Sequence, residues 1–407
     1  MVLWVHLASG KHPHRVAIEC GERSMTYTEL SQGAIERGRT LASRGVGPRE
    51  RVAVEVEDRL EFALTVHGCL LAGCPAVPID LRLGEEERAA RRVAVSLAGE
   101  RDDVATVMHT SGTTSAPKPV ELTYGNWQAS ALGSAVALGL DPAERWLCPM
   151  PLTHVGGLSI LIRSVIYATT AVLHERFDTQ AVLKDLMDPE RRITMVSLVP
   201  TMLARLLDAG LERPPTLRWA LLGGAPISPP LLERAVAAGV PVAPTYGMTE
   251  ACSQLSTFGH PLPGVDVMTA QGEILVKGPM VAPGSVDENG WLRTGDLGRF
   301  DEHGRLEVVG RSSDTIITGG ENVAPVEVEA ILEAHQGVAE AAVIGRPDPE
   351  WGQALVALLV APNGLDPDDV RAHCRARLAA FKVPKSFELV DQLPRTPSGK
   401  LLRRQIR

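Results

Sequence analysis

Residues 110–120 read TSGTTSAPKPV, and they set the expectation for the whole chain. Thr110, Ser111, Thr113 and Thr114 bring four hydroxyls, Gly112 a bare backbone, and Lys118 an ammonium, all within nine residues. The apolar run 104–108 before them reads as the end of a strand. Hydroxyls, open backbone N–H groups and a lysine on a tight loop suit a phosphate chain. Such clusters also form ordinary loops, so the reading needs support from elsewhere in the chain. Other chemistries lack their motifs: GxxxxGK[ST], GxGxxG, GxSxG, HExxH and CxxC are all absent.

Lysine usage adds weight. Of 41 basic residues only seven are lysine, and two of these, Lys118 and Lys400, sit in Pro/Gly/Ser/Thr-rich loops. A chain that prefers arginine keeps lysine where a compact point charge on a slim stem is needed. Composition bounds the rest. The 407 residues are enough for two or three domains with a sizeable core. A formal net charge of −8 argues against a nucleic-acid partner. No apolar run approaches a membrane span, and six scattered cysteines without metal or disulfide spacing fit a reducing cytoplasm.

Working outward, β-rich runs alternate with helical ones. Strands are predicted at 51–56, 75–79, 194–198 and 219–222, and helices at 60–72, 200–207 and 229–238. That alternation predicts parallel α/β layers, with Gly223-Gly224 and the loop at 110 at strand C-terminal ends. From 265 onward the runs 272–277, 291–294, 298–301 and 305–309 are short and turn-punctuated, which predicts an antiparallel region. After Arg311 about 95 residues suit a small α+β domain.

Further polar patches follow in order: PTYGMTE (244–250), RTGDLG (293–298), RSSD (311–314), GGENV (319–323) and LPRTPSGKL (393–401). A tyrosine ring can stack on a purine, and a carboxylate can hold a metal that bridges phosphates. An aspartate on a glycine-flanked turn can accept both ribose hydroxyls, although such aspartates are common in turns. Taken singly, each patch also fits a plain turn or cap.

In this order the patches resemble the adenylate-forming superfamily of acyl-CoA synthetases, luciferases and adenylation domains. The resemblance runs from TYTEL (26–30) to Lys400. It implies a large N-terminal domain of α/β layers plus a small β-barrel-like region (1–310), and a small mobile α+β C-terminal domain (311–407) carrying the catalytic lysine. By similarity, residues 110–118 cover the ATP phosphates, Gly223, Gly224, Ala225 and Tyr246 form the adenine side, and Gly247 serves both ATP and the acyl substrate. Thr249 touches the α-phosphate, Glu250 holds Mg²⁺, and Asp296 with Arg311 takes the ribose. Ser313 is the hinge. Lys400 bridges carboxylate and α-phosphate. Gly319, Gly320, Glu321 and Asn322 swing in for thioester formation with coenzyme A.

The segments PMPLTHVGGLS (149–159), LIRSVIY (161–167) and VSLVPTMLARLL (196–207) look most like o-succinylbenzoate–CoA ligases of menaquinone synthesis. In that reading His154 is the acyl-pocket gate and Arg205 meets the second carboxylate. A homodimer is one expected state. Another aryl- or acyl-CoA synthetase is the alternative, and a non-catalytic nucleotide binder a third. An amino-acid adenylation domain would need an acidic partner for the amine, which 149–159 lacks. Ser115 and Pro119 depart from the glycines usual in the phosphate loop and stiffen it.

Overall fold

The computed structural model describes residues 4–93, 95, 103–110, 118–362, 364–395 and 401–406. Among them the largest sheet has nine strands. At its centre, Arg145–Cys148, Met195–Leu198, Trp219–Leu222 and Val242–Met248 run parallel. Val196, Leu198, Ala220 and Leu222 are almost fully buried, as strands covered on both faces must be. A second sheet pairs Val52–Val54, Ala76–Pro78, Val104–Thr110 and Lys118–Thr123. The expected β region is a four-stranded antiparallel sheet built from Asp266–Ala270, Glu273–Lys277, Leu292–Phe300 and Leu306–Arg311. A five-stranded sheet with helices Pro325–Glu333 and Pro367–Arg375 forms a small C-terminal α+β unit with its own core.

Helix boundaries fall where local chemistry puts them. Arg59–Ala72 starts at Asp58, whose carboxylate accepts from the N–H groups of Leu60 and Glu61, and ends at Gly73. Tyr27 and Glu29 follow a Thr26 capping box. One prediction needed correction: the runs 291–294 and 298–301 are not separate strands but one bulged strand, Leu292–Phe300. Around Tyr246 the chain forms strand Val242–Met248, followed by one 3₁₀ turn over Thr249–Ala251.

Both strands extend for the same reason. A neighbouring strand satisfies backbone groups that a glycine-rich sequence alone would leave to a turn.

Candidate active site

Strand Trp219–Leu222 delivers Gly223 and Gly224 to the edge of a cleft of ≈ 1970 Å³. Gly224, Ala225, Tyr246, Gly247, Asp296 and Arg311 all line it. Asp80, Arg82, Pro151, Leu152, Thr153 and Arg205 line it as well, and the C-terminal unit adds Glu329, Glu333 and Arg403. A drug-sized ligand fills about 300–1,000 Å³, so this cleft has room for more than one substrate.

Tyr246 and Asp296 meet directly. The phenol donates to Asp296 Oδ2 at 2.6 Å, and Arg311 Nε lies 2.7 Å from Oδ1. Asp296 is only 5% exposed. Burial, and then the Asp296 carboxylate, push the Tyr246 phenol above its ordinary pKa, so it remains a donor. Each carboxylate oxygen has two lone-pair sites, so Asp296 retains acceptors for vicinal hydroxyls while holding Tyr246 and Arg311.

Gly247 explains the unusual path of the chain here. Pairing between Val242–Met248 and Ser253–Thr257 slips after Tyr246. A Cβ on residue 247 would lie 1.8 Å from the Ser253 carbonyl oxygen. Only glycine lets the two backbones approach this closely. The turn beyond it carries Thr249 and Glu250, both half-buried. The Glu250 carbonyl accepts from Ala282 N–H at 2.8 Å, which fixes the turn while leaving the carboxylate to other partners. Among the described residues no cluster of three or more potential metal ligands occurs. Mg²⁺ bound to nucleotide usually takes one or two carboxylates plus phosphate oxygens and water, so a single Glu250 fits that donor set.

His154 precedes helix Val155–Tyr167 but makes no capping hydrogen bond. Its Nε2 lies 3.9 Å from Asp80 Oδ2, and Asp80 is itself held by Arg82. The His154 side chain is 45% exposed, yet desolvation by the surrounding protein lowers its pKa while Asp80 opposes the shift. Arg205, on helix Pro200–Asp208, is exposed on the cleft wall and ion-paired to nothing among the described residues.

Thr110 and Lys118 face each other across a hairpin, with the Thr110 hydroxyl 3.4 Å from the Lys118 carbonyl. Ser111, Gly112, Thr113 and Thr114 lie outside the described residues, as does Lys400.

The Gly319–Asn322 loop stands apart from the large cleft, and Asn322 lines a separate shallow pocket. Gly319 donates its N–H to the Trp351 carbonyl at 2.8 Å, and a Cβ there would press on the Trp351 ring at 2.9 Å. Ser313 sits exposed in the 3₁₀ turn Ser312–Asp314 between the two units. Sequence reading passed over the buried Arg163–Ser130–Gln254 cluster behind the Thr249 turn. A lone arginine in the apolar run LIRSVIY was the available signal.

The model of the AMP-binding enzyme family matches residues 6–96 and 91–286, and that of the AMP-binding enzyme C-terminal domain matches 327–400. The chain belongs to the AMP-binding enzyme family. Among members of this family, it is 37% identical to 2-succinylbenzoate–CoA ligase of Bacillus licheniformis, over 99% of this chain and 98% of that protein. The o-succinylbenzoate CoA synthetase of Bacillus subtilis, in complex with its acyl-adenylate intermediate OSB-AMP, superposes with a TM-score of 0.91 at 35% identity, covering 100% and 98% of the two chains. A double mutant of that synthetase, bound to the product analogue OSB-NCoA, superposes at 0.72 with 36% identity and the same coverage.

No helix among the described residues is long and apolar enough to cross a membrane.

Proposed function

We propose that this chain is an AMP-forming acid–thiol ligase that adenylates 2-succinylbenzoate with ATP and transfers the acyl group to coenzyme A. The observation that carries the reading is the Tyr246–Asp296–Arg311 constellation opening onto one cleft with Arg205, in a chain similar along its whole length to 2-succinylbenzoate–CoA ligases.

In this reading Gly223, Gly224, Ala225 and Tyr246 receive the adenine, Asp296 accepts the ribose hydroxyls, and Arg311 pairs with Asp296 and aims it. Thr110–Lys118 closes over the β- and γ-phosphates. Thr249 hydrogen-bonds the α-phosphate, and Glu250 holds the Mg²⁺ that neutralises phosphate charge. A carboxylate attacks an anionic α-phosphate poorly unless charge is neutralised and the groups are aligned, which is the task assigned to Lys400. Pyrophosphate leaves, and His154 shields the acyl-adenylate from water.

CoA thiolate then attacks the acyl carbonyl, AMP leaves, and the thioester forms. We assign the second step to a rotation at Ser313, with residues 1–310 and 311–407 as the two bodies; that residues 319–322 do not line the cleft supports this.

Arg205 is assigned to the second carboxylate of the substrate. Its exposure on the cleft wall without an acidic partner supports this. Small-molecule substrates account for the whole site. We also infer a cytoplasmic location, supported by six cysteines that are all free thiols. A homodimer is our reading of the quaternary state, supported by the exposed apolar side chains Leu132, Val136 and Leu140, at 56%, 70% and 48%, and checked by sedimentation.

The decisive experiment measures pyrophosphate release with CoA and 2-succinylbenzoate, benzoate or fatty acids. Turnover confined to 2-succinylbenzoate is expected. Preference for another acid transfers the assignment to a different acyl-CoA synthetase. Lys400→Ala is expected to abolish adenylation while thioester formation from supplied acyl-adenylate continues. Full adenylation by that variant would overturn the role given to Lys400.

A further inference from the structure

Arg163 is fully buried, at 0% exposure, in the middle of helix Val155–Tyr167. Among the described residues no carboxylate reaches it. Its Nη2 donates to Ser130 Oγ at 2.8 Å, its Nη1 to Gln254 Oε1 at 3.3 Å, and its Nε has no partner. Burial depresses its pKa below the ordinary arginine value, and Tyr167 and Cys252 oppose that shift without cancelling it.

A buried cation without an anion is costly, and an apolar side chain of similar length often serves stability as well or better. The charge therefore calls for a role other than stability.

The position of Arg163 supplies one. Ser130 lies on helix Tyr124–Leu138, which follows the hairpin strand beginning at Lys118. Ser130 passes the contact on, its hydroxyl donating to the Cys252 carbonyl at 2.7 Å. Cys252 and Ser253 both hold left-handed backbone, with φ of 52° and 87°. Non-glycine residues adopt that conformation at a cost and keep it only where surroundings enforce it. Gln254, the other acceptor, follows directly and is 2% exposed.

Arg163 thus grips the strained segment 252–254 from behind, immediately after Thr249 and Glu250. Its own helix begins next to His154. Three elements that adjoin candidate-site segments in the chain meet at this one guanidinium.

We infer that Arg163 is a positioning residue, which locks the Thr249–Glu250 turn in the geometry needed to present metal-bound nucleotide to the acyl group. The inference rests on the roles proposed for Thr249 and Glu250. Ser130 is its relay, so loss of either partner should release the same strained turn.

The test compares Arg163→Met, Arg163→Lys and Ser130→Ala in the full-length enzyme. Adenylation is followed by pyrophosphate release as Mg²⁺ is varied at saturating ATP, and thioester formation by supplying acyl-adenylate and CoA. Loss of a supporting partner typically lowers metal affinity or activity about 10–100-fold. Arg163→Met is expected to raise the Mg²⁺ requirement and lower the adenylation rate within that range, with the thioester step within about threefold and the melting temperature near wild type. Ser130→Ala should move the Mg²⁺ requirement in the same direction. The double variant should fall short of the product of the two single effects, because they share one path.

If Arg163→Met does not fold, Arg163→Lys and Ser130→Ala carry the test, since both keep the core filled. Equal loss in both half-reactions together with a lowered melting temperature would mark Arg163 as structural and overturn the inference. So would an unchanged Mg²⁺ requirement. Glu250→Gln separates the two levels. If it leaves the Mg²⁺ requirement unchanged, the site reading fails. If it raises the requirement and neither Arg163 variant does, only the inference about Arg163 fails.

Discussion

Arg311 holds Asp296 across two adjacent antiparallel strands, Nε to Oδ1 at 2.7 Å, and the two residues are direct partners in the strand register. The pairing fixes one carboxylate oxygen while Tyr246 fixes the other from a different sheet. A carboxylate gripped on both oxygens cannot rotate, which makes it a preorganised acceptor.

Asp296→Asn removes the charge and leaves the Arg311 guanidinium without it. Hydrogen bonds to charged groups contribute about 1.5–3 kcal/mol, so KM for ATP should rise roughly 10–100-fold. KM for CoA, measured with supplied acyl-adenylate, should stay near wild type. Tyr246→Phe loses one neutral donor and should raise KM for ATP by about tenfold or less. Equal defects for ATP and CoA in both variants would contradict the assignment.

Gly247→Ala sets a methyl against the Ser253 carbonyl oxygen. The backbone has to shift, and overpacking of this kind costs about 1–3 kcal/mol. A lowered melting temperature and slower adenylation should appear together, since the displaced turn carries Thr249 and Glu250. Gly284→Ala is the control, because nothing lies within 4 Å of its new methyl. A wild-type Gly247→Ala enzyme would mean the turn tolerates displacement.

Arg205→Ala should raise KM for 2-succinylbenzoate about 10–100-fold through loss of a charged contact, with KM for ATP changed little. Monocarboxylate analogues should be insensitive to the substitution. If ATP suffers equally, Arg205 is a structural residue.

Glu333 faces the cleft from helix Pro325–Glu333. Burial raises its pKa to about 7, the Glu329 and Glu340 charges add to that, and the Ala341 N–H and Arg395 oppose it. The folded state therefore binds this proton more tightly than the unfolded chain. The stabilisation is fully present below the ordinary glutamate value and is lost as pH rises through about 7. Glu333→Gln should remove this pH dependence, making the variant more stable than wild type at pH 8 by on the order of 2 kcal/mol. Denaturant unfolding at pH 5 and pH 8 measures the difference. Parallel slopes for the two proteins would place Glu333 outside the titration.

The alternation of β-rich and helical runs made much of the secondary structure legible. Trp219–Leu222 matches its prediction residue for residue, and Pro229–Ala237 ends one residue early. Buried parallel strands and proline-opened helices carry strong local signals. The region 291–301 was less legible, because a bulged strand held by its neighbours looks in sequence like turns between short strands. Tyr246 was singled out, but its strand setting was hidden for the same reason. Arg163 went unnoticed because burial of a charge is a property of the fold, not of the residue.

By itself the sequence determined the chemistry on offer: which residues carry hydroxyls, charges and bare backbone, and the order in which they come. That order was enough for the family, because a superfamily motif is a property of the chain. Only the tertiary structure decided which patches share a space. Gly223 leaves the nine-stranded sheet while Asp296 and Arg311 belong to the antiparallel sheet and Thr110 to the sheet of Val52–Thr123, yet the first three approach one cleft. It also decided that residues 319–322 do not line that cleft, and that Arg163 sits uncompensated behind the Thr249 turn. Distance and dielectric depend on packing between segments far apart in the chain, and local sequence carries no record of either.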